Sequence, residues 1–209
     1  MPLPTRKAPP TANPNAAQQP AAAASKGKSR LPAMPQGGLK AREQYNYISL
    51  PQSQEKGFYL LKLVSCEQFT AKKTNLEKLK FDFEVLDTNI SGVATGSHVS
   101  NVLSLQGESS LYFWKNFAPI AIALAGGEVS NESYAEFEQD AEATFTAIVS
   151  IDGEGGGGLN GSIARCELRR TQMDVLDKAG NPTGEEKPWV FTDWYPATDA
   201  ELKKYGTSE

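Results

Sequence analysis

The stretch that decides the fold runs from Gly57 to Leu86 and reads GFYLLKLVSCEQFTAKKTNLEKLKFDFEVL. Its last part alternates between apolar and charged side chains, with Leu79, Phe81, Phe83 and Val85 set against Lys80, Asp82 and Glu84. A period of two is typical of a β-strand that has one face on a core and the other on water. The opening part is apolar on both faces apart from Lys62. It is therefore predicted to be a strand that is either buried on both sides or holds aromatic groups for a ligand.

Downstream of this strand pair, the sequence predicts a third strand and then a helix. Turn residues at 89–96 precede a strand over 97–105, in which His98 is expected to be exposed. The helix is predicted over 111–125, with a kink at Pro119 and two glycines at its end. Its core-facing stripe consists of apolar residues at three- and four-residue steps: Leu111, Trp114, Phe117, Ala121 and Leu124.

The C-terminal half is predicted to return to β structure. Residues 128–142 hold six acidic side chains and no basic one, which indicates a solvated, partly helical connector. Alternation then predicts strands over 143–151, 162–175 and 188–195, the last two forming a hairpin arm. The glycine tract at 152–161 lacks the Lys-Ser/Thr pair of a phosphate-binding loop and precedes a strand. It is predicted to be a mobile hairpin tip.

Charge divides the chain into a basic arm and an acidic body. The 209 residues carry a net charge of −4, but residues 1–42 contain seven basic side chains and no acidic one. The remainder holds 14 basic and 25 acidic side chains, a balance of −11. Residues 1–42 are rich in Pro and Ala and are predicted to be a disordered arm, either an inert linker or a polycationic tether. The folded domain is predicted over 43–198, followed by a polar tail over 199–209.

Composition excludes the commonest catalytic and metal sites. His98 is the only histidine, and the two cysteines, Cys66 and Cys166, are far apart in sequence. Zinc sites, Cys/His nucleophile pairs and histidine-based triads are therefore not expected, and neither an enzymatic activity nor a cofactor is predicted. The longest apolar run is too short to span a membrane, and no secretory segment is apparent. A cytoplasmic protein with reduced thiols is expected.

The order of predicted elements indicates a fold class. Three strands, a helix and two further strands form the sequence of an OB-fold, a small five-stranded Greek-key barrel with one helix between strands 3 and 4. The predicted fold is therefore mainly β and OB-fold-like, with an extended β-hairpin and a disordered N-terminal arm. A six-stranded sandwich with a helical insertion is the alternative.

Residues 57–127 resemble a known family. A G-x-Y strand (GFYLLKLV), a lysine-bearing loop (AKKTN), an F-x-F-x-V strand (FDFEV) and a helix ending in small residues (AIALAGG) are similar to the phage-encoded OB-fold single-stranded-DNA-binding proteins. Weaker similarity extends over 143–151 and 187–196. The long Arg-bearing hairpin is larger than that pattern requires, and the C-terminus, ELKKYGTSE, lacks the acidic tail of many bacterial single-strand binders. The resemblance implies sequence-nonspecific binding of single-stranded DNA in phage replication or recombination, within the host cytoplasm.

Such binding needs cations that follow the phosphates and aromatic faces that stack on bases. The candidate DNA-binding side chains are Phe58, Lys62, Phe69, Lys72, Lys73, Lys78, Lys80, Arg165, Arg169, Arg170 and Trp194, with Trp189 as a further outward aromatic. Other phenylalanines are assigned to the core: Phe81, Phe83, Phe117 and Phe145. Two other functions stay open, a virion-associated β-domain and a mediator that binds replication or recombination proteins. The oligomeric state is not predicted.

Overall fold

The computed structural model describes residues 31–36, 38–39, 44–45, 48, 50–151, 153–176 and 181–206. Residues 1–30 of the predicted arm therefore lie outside the described residues, as do residues 177–180 between the last two predicted strands. One antiparallel sheet dominates the described part. Its strands are β1 (Gln44–Tyr45), β2 (Lys56–Thr70), β3 (Glu77–Thr88), β4 (His98–Ser104), β5 (Ser150–Ile151), β6 (Ile163–Leu176) and β7 (Pro182–Pro196).

The strand order is β1-β7-β6-β2-β3-β4, and the short β5 runs parallel to the second half of β2. The prediction of a mainly β fold is confirmed. Within the described residues the outer strands β1 and β4 do not pair with each other, so the sheet is open. The finer prediction of a closed five-stranded barrel is not shown by these pairings.

Most of the helices cover one face of the sheet, which is called the inner face here, and the last helix lies on the opposite, outer face. A 3₁₀ helix (Glu108–Tyr112) leads into α1 (Phe113–Leu124), and α2 (Asn131–Gln139), α3 (Ala141–Ile148) and α4 (Asp199–Tyr205) follow. The ring of Phe117 lies 5.8 Å from that of Phe81 on β3 and 5.6 Å from that of Phe145 on α3. The four phenylalanines assigned to the core are all buried, as predicted.

The predicted core-facing stripe of the helix is confirmed except at its first residue, Leu111. Trp114, Phe117, Ala121 and Leu124 are buried, but Leu111 is 75% exposed. The prediction for Leu111 is wrong because this residue lies in the 3₁₀ helix, whose tighter turn displaces it from the stripe of α1.

The strand predicted over 143–151 is also wrong, because most of it is helix α3. Ala141, Phe145 and Ile148 are buried at four- and three-residue steps and form the inner side of that helix. Only Ser150 and Ile151 are strand. A short apolar run satisfies both periods, and here the helical one prevails.

The glycine tract closes α3 and is not a hairpin tip. The N–H groups of Gly157 and Gly158 donate to the carbonyl oxygens of Ile148 and Ala147, at 3.1 and 2.9 Å. These carbonyls belong to the last turn of α3, where helices leave acceptors unpaired. At Gly156 a Cβ would clash with backbone atoms of Val149 and Ser150 at the α3–β5 junction, so this position needs glycine.

Part of the predicted disordered arm packs against the domain. The indole N–H of Trp114 donates to the Pro32 carbonyl at 2.6 Å, and the Leu39 N–H donates to the Glu138 carboxylate. Leu39 is buried. The predicted arm boundary at residue 42 is therefore wrong for residues 31–36 and 38–39, whose few apolar side chains find partners on α1 and α2.

Candidate nucleic-acid interface

Two irregularities in the β2–β3 pairing decide which side chains face outward. Leu60 pairs with Asp87 but Leu61 pairs with Val85, and Val64 is an extra residue before Ser65 pairs with Asp82. A bulge of one residue shifts the side-chain alternation by one position. Even-numbered residues of β2 therefore face outward before Val64, and odd-numbered ones face outward after it.

Five predicted binding residues lie at the β2–β3 hairpin, three of them on the outer face of the sheet and two in the turn. Phe69 pairs directly with Lys78 across the β2–β3 ladder, and Lys80 lies two residues further along β3. Lys72 and Lys73 are exposed in the turn that joins the two strands. These five residues, Phe69, Lys72, Lys73, Lys78 and Lys80, are called the hairpin patch.

The hairpin patch combines an aromatic face with cations. Phe69 is 39% exposed, although an inward position would have buried it. Lys80 pairs across the ladder with Glu67 and lies 3.3 Å from the Asp82 carboxylate. The neighbouring strand β4 adds no charge beside Lys78 and Lys80, because it places Ser104 and Val102 opposite them. Two acids therefore accompany four lysines.

Asp82 is held ionised at the rim of this patch. Partial burial favours its neutral form, but hydrogen bonds from His98 (3.0 Å), Ser100 (3.0 Å) and Lys80 outweigh burial. The pKa of Asp82 is therefore lowered. The predicted exposure of His98 is confirmed, and its Nδ1 contacts Asp82.

Lys62 lies on the same face, between the hairpin patch and the far end of the sheet. It pairs across the ladders with Glu84 on β3 and with Ile163 on β6, and it is half-buried. Its cross-strand neighbour Glu84 offsets its charge. Lys62 therefore extends the cationic row only weakly.

Helix α4 occupies the far end of the outer face. The Arg165 guanidinium lies 4.2 Å from the centre of the Phe58 ring and donates to Glu201 of α4 at 2.9 Å. The Tyr205 hydroxyl reaches Asp87 at 3.4 Å. Leu60 lies between Arg165 and Asp87 in the sheet and is only 1% exposed. The first part of β2 is therefore buried on both sides, which answers the question raised by its sequence.

The contacts of α4 also set the charge of its groups. Burial favours the neutral form of Glu201, but hydrogen bonds from Thr198 and Arg165 outweigh burial and lower the pKa of Glu201. The same carboxylate completes a capping box with Thr198 at the start of α4. Arg165 is likewise paired with Glu167 at 3.0 Å. Phe58 and Arg165 thus contact each other, Arg165 also contacts α4, and both lie apart from the hairpin patch.

Three further predicted residues are placed elsewhere. Trp194 faces inward, is 3% exposed and lies 5.7 Å from Phe83, so the prediction that it stacks on bases is wrong. The Arg170 guanidinium donates to the carbonyl oxygens of Leu50 and Pro51, at 2.7 and 3.0 Å. It therefore holds the segment before β2 against β6 and does not serve as the predicted phosphate contact.

Arg169 does face outward, but on a different strand pair. Its guanidinium lies 3.5 Å from the Asp193 carboxylate and 5.5 Å from the centre of the Phe191 ring. Arg165 and Arg169 therefore form local ion pairs, and none of the three arginines of β6 extends the hairpin patch.

Sequence reasoning missed some outward residues. Val64 and Tyr195 are exposed on the outer side, and Val102 lies beside Lys80. The sequence does indicate an irregularity near Val64, because the alternation of β2 breaks there. The position of a bulge, however, is defined only by the pairing with the partner strand. No group of three or more His, Cys, Asp or Glu in the described ranges could hold a metal ion. No described helix is long and apolar enough to cross a membrane.

No protein-family model, curated protein or solved structure matches this chain. The resemblance to phage-encoded single-stranded-DNA-binding proteins therefore stays a prediction.

Proposed function

We propose that this protein binds single-stranded DNA without sequence preference and without catalysing a reaction, through the hairpin patch. The observation that carries the proposal is the pairing of Phe69 with Lys78, beside Lys80 and the two lysines of the turn. Sequence-tolerant binding requires these two ingredients, an aromatic face for bases and cations for phosphates. A role in phage replication or recombination, in the host cytoplasm, is part of the same proposal.

The position of the patch supports an OB-like use of the sheet. If β2, β3, β4, β6 and β7 correspond to the five OB strands, then α1, α2 and α3 lie between the third and fourth. OB-folds bind oligonucleotides on the face of strands 2 and 3 and with the loops that follow strands 1 and 4. Lys78 and Lys80 lie on the second of these strands, and Lys72 and Lys73 lie in the first of these loops.

The acidic body does not oppose this proposal. Its acidic helix α2 packs behind α1, as the 6.0 Å contact between Trp114 and Phe137 shows, and α1 covers the inner face. The acids of α2 are therefore separated from the hairpin patch by the core. The local field at a binding groove, more than the net charge, attracts a ligand.

Fluorescence anisotropy with a labelled oligo-dT, a matched duplex and a salt series tests the proposal. We expect tighter binding to oligo-dT, with a log–log salt slope of about −3 if all four lysines contact phosphates, since each contact contributes about −0.7. Absence of binding at low salt, or equal affinity for the duplex, would contradict it. The protein-binding mediator and the virion-associated domain would then be the better candidates.

A stacking variant tests the aromatic half of the site. Phe69→Ala should weaken oligo-dT binding by about 1–3 kcal/mol, the usual contribution of one stacked base. Val64→Ala is the matched control, because Val64 is also exposed on β2 but carries no ring. Equal losses from both variants would show that Phe69 does not stack on a base.

A further inference from the structure

Strand β4 has an unpaired edge in the described part of the chain. Among the described strands it pairs with β3 alone, and hydrogen bonds from Val85 N–H to the Ser97 carbonyl and from Leu105 N–H to the Glu77 carbonyl lie at the two ends of the ladder. Odd-numbered residues of β4 therefore bond to β3. The N–H and C=O groups of the even-numbered residues point away from β3, at His98, Ser100, Val102 and Ser104. Such a row is a template for another strand.

A second observation concerns Asn101, in the middle of this strand. Its side chain faces inward and is only 4% exposed, and its buried Oδ1 atom has no hydrogen-bond partner among the described residues. Buried polar side-chain atoms are normally satisfied, so an orphan amide oxygen at an open sheet edge indicates a missing donor. A primary amide offers both donor and acceptor, and therefore a second copy of the same amide is a suitable partner.

We propose that β4 pairs antiparallel with β4 of a second copy of this chain, in the register that places Asn101 opposite Asn101 of that copy. In this register the even-numbered residues exchange backbone hydrogen bonds, and Asn101 occupies a non-hydrogen-bonded position where opposing side chains are closest. Each amide then donates to the Oδ1 atom of the other.

The remaining side chains fit this register. On the inner face Val99 lies opposite Leu103 of the second copy, so apolar groups flank the amide pair. On the outer face Ser100 lies opposite Val102, and His98 lies opposite Ser104. No like charges face each other, which is what a self-complementary, two-fold interface requires. The outer faces of both copies then form one continuous sheet surface. This inference rests on β4 and does not depend on DNA binding.

A cysteine placed on the two-fold axis tests the register. In Asn101→Cys the two introduced residues would have Cα atoms about 4.5 Å apart, which lies within the range of a disulfide. We expect a covalent dimer on mild oxidation, with residue 101 linked to itself in mapped peptides. Val99→Cys is the matched control, since its two copies would be about 13 Å apart and should not cross-link. The native cysteines, Cys66 and Cys166, are both buried.

Sedimentation velocity over a wide concentration range tests the edge itself. Val102→Pro removes an N–H that points away from β3 and leaves the β3–β4 ladder intact, whereas Val102→Thr keeps that N–H. We expect the wild type and Val102→Thr to dimerise with concentration and Val102→Pro to stay monomeric. A monomeric wild type without cross-linking at residue 101, or a Val102→Pro variant that dimerises normally, would overturn the proposal. If Val102→Pro loses its β-sheet circular dichroism, the cross-linking result decides.

Discussion

Neutralising the two lysines at the tip of the β2–β3 hairpin gives the sharpest test of the DNA-binding proposal. Lys72 and Lys73 are exposed in the turn between the strands, so Lys72→Gln/Lys73→Gln should leave the fold unchanged. Each lost phosphate contact removes about 0.7 from the magnitude of the log–log salt slope, about 1.4 for both. Relative to equal affinities at about 1 M salt, this difference in slope corresponds to about 60-fold weaker binding of oligo-dT in 50 mM salt and about 10-fold in 200 mM salt.

The salt dependence separates this effect from a general loss of positive charge. Lys203→Gln/Lys204→Gln on α4 changes the net charge by the same amount, but α4 lies at the far end of the outer face, where it contacts Arg165. This control should retain the wild-type slope. Anisotropy titrations at four or more salt concentrations measure both variants. An unchanged slope for Lys72→Gln/Lys73→Gln, or an equal decrease for the control, would refute the placement of the DNA.

Three further predictions concern the fold that holds this surface. Phe117→Ala should lower the free energy of unfolding by about 3–5 kcal/mol, because the ring of Phe117 is fully buried among other aromatic rings. Leu111→Ala should change it by less than about 0.5 kcal/mol, because Leu111 is exposed. Urea unfolding compares the two variants, and similar losses of stability would contradict the packing. The pKa of Glu201 is lowered, so its pairing with Arg165 stabilises the fold above the ordinary glutamate pKa, and this contribution is lost as the pH falls through the lowered value. Glu201→Gln should therefore reduce stability at neutral pH and flatten its acid dependence in thermal melts, and an unchanged pH profile would contradict this. Gly156→Ala should destabilise by about 2 kcal/mol or more, since it combines a positive φ with overpacking against backbone; a stability equal to that of the wild type would show that the glycine tract does not pack on α3.

Strong alternation was the most informative signal in the sequence. The strand containing Phe81 and Phe83 is present with the predicted faces, because strict period-two alternation has no helical interpretation. The apolar run of α3 failed for the opposite reason, since Phe145 and Ile148 fit both periods. Tertiary packing against Phe117 and Phe113 accompanies the helix there.

The candidate site was predictable only where it is local in sequence. Phe69, Lys72, Lys73 and Lys78 lie within one hairpin, so the turn alone brings them together. The arginines of β6 depend on partners far away in the chain. Arg165 meets Glu201 of α4, and such a pairing has no signature in either segment alone.

The extra residue at Val64 changes which side chains of β2 face the core. Successive side chains of a strand point to opposite faces, and this one insertion shifts the alternation by one position. Phe69 therefore faces outward, although Leu61 and Leu63, which are also odd-numbered, face the core. Deleting Val64 would make Leu63 and Ser65 consecutive, opposite Phe83 and Asp82, so the pairing would become regular while Cys66 stayed inward and Phe69 outward. The odd or even position of a residue in β2 is therefore no guide to its face unless the bulge is taken into account. A related chain that lacks the residue at Val64 should keep the same cross-strand pairs and the same outward aromatic position.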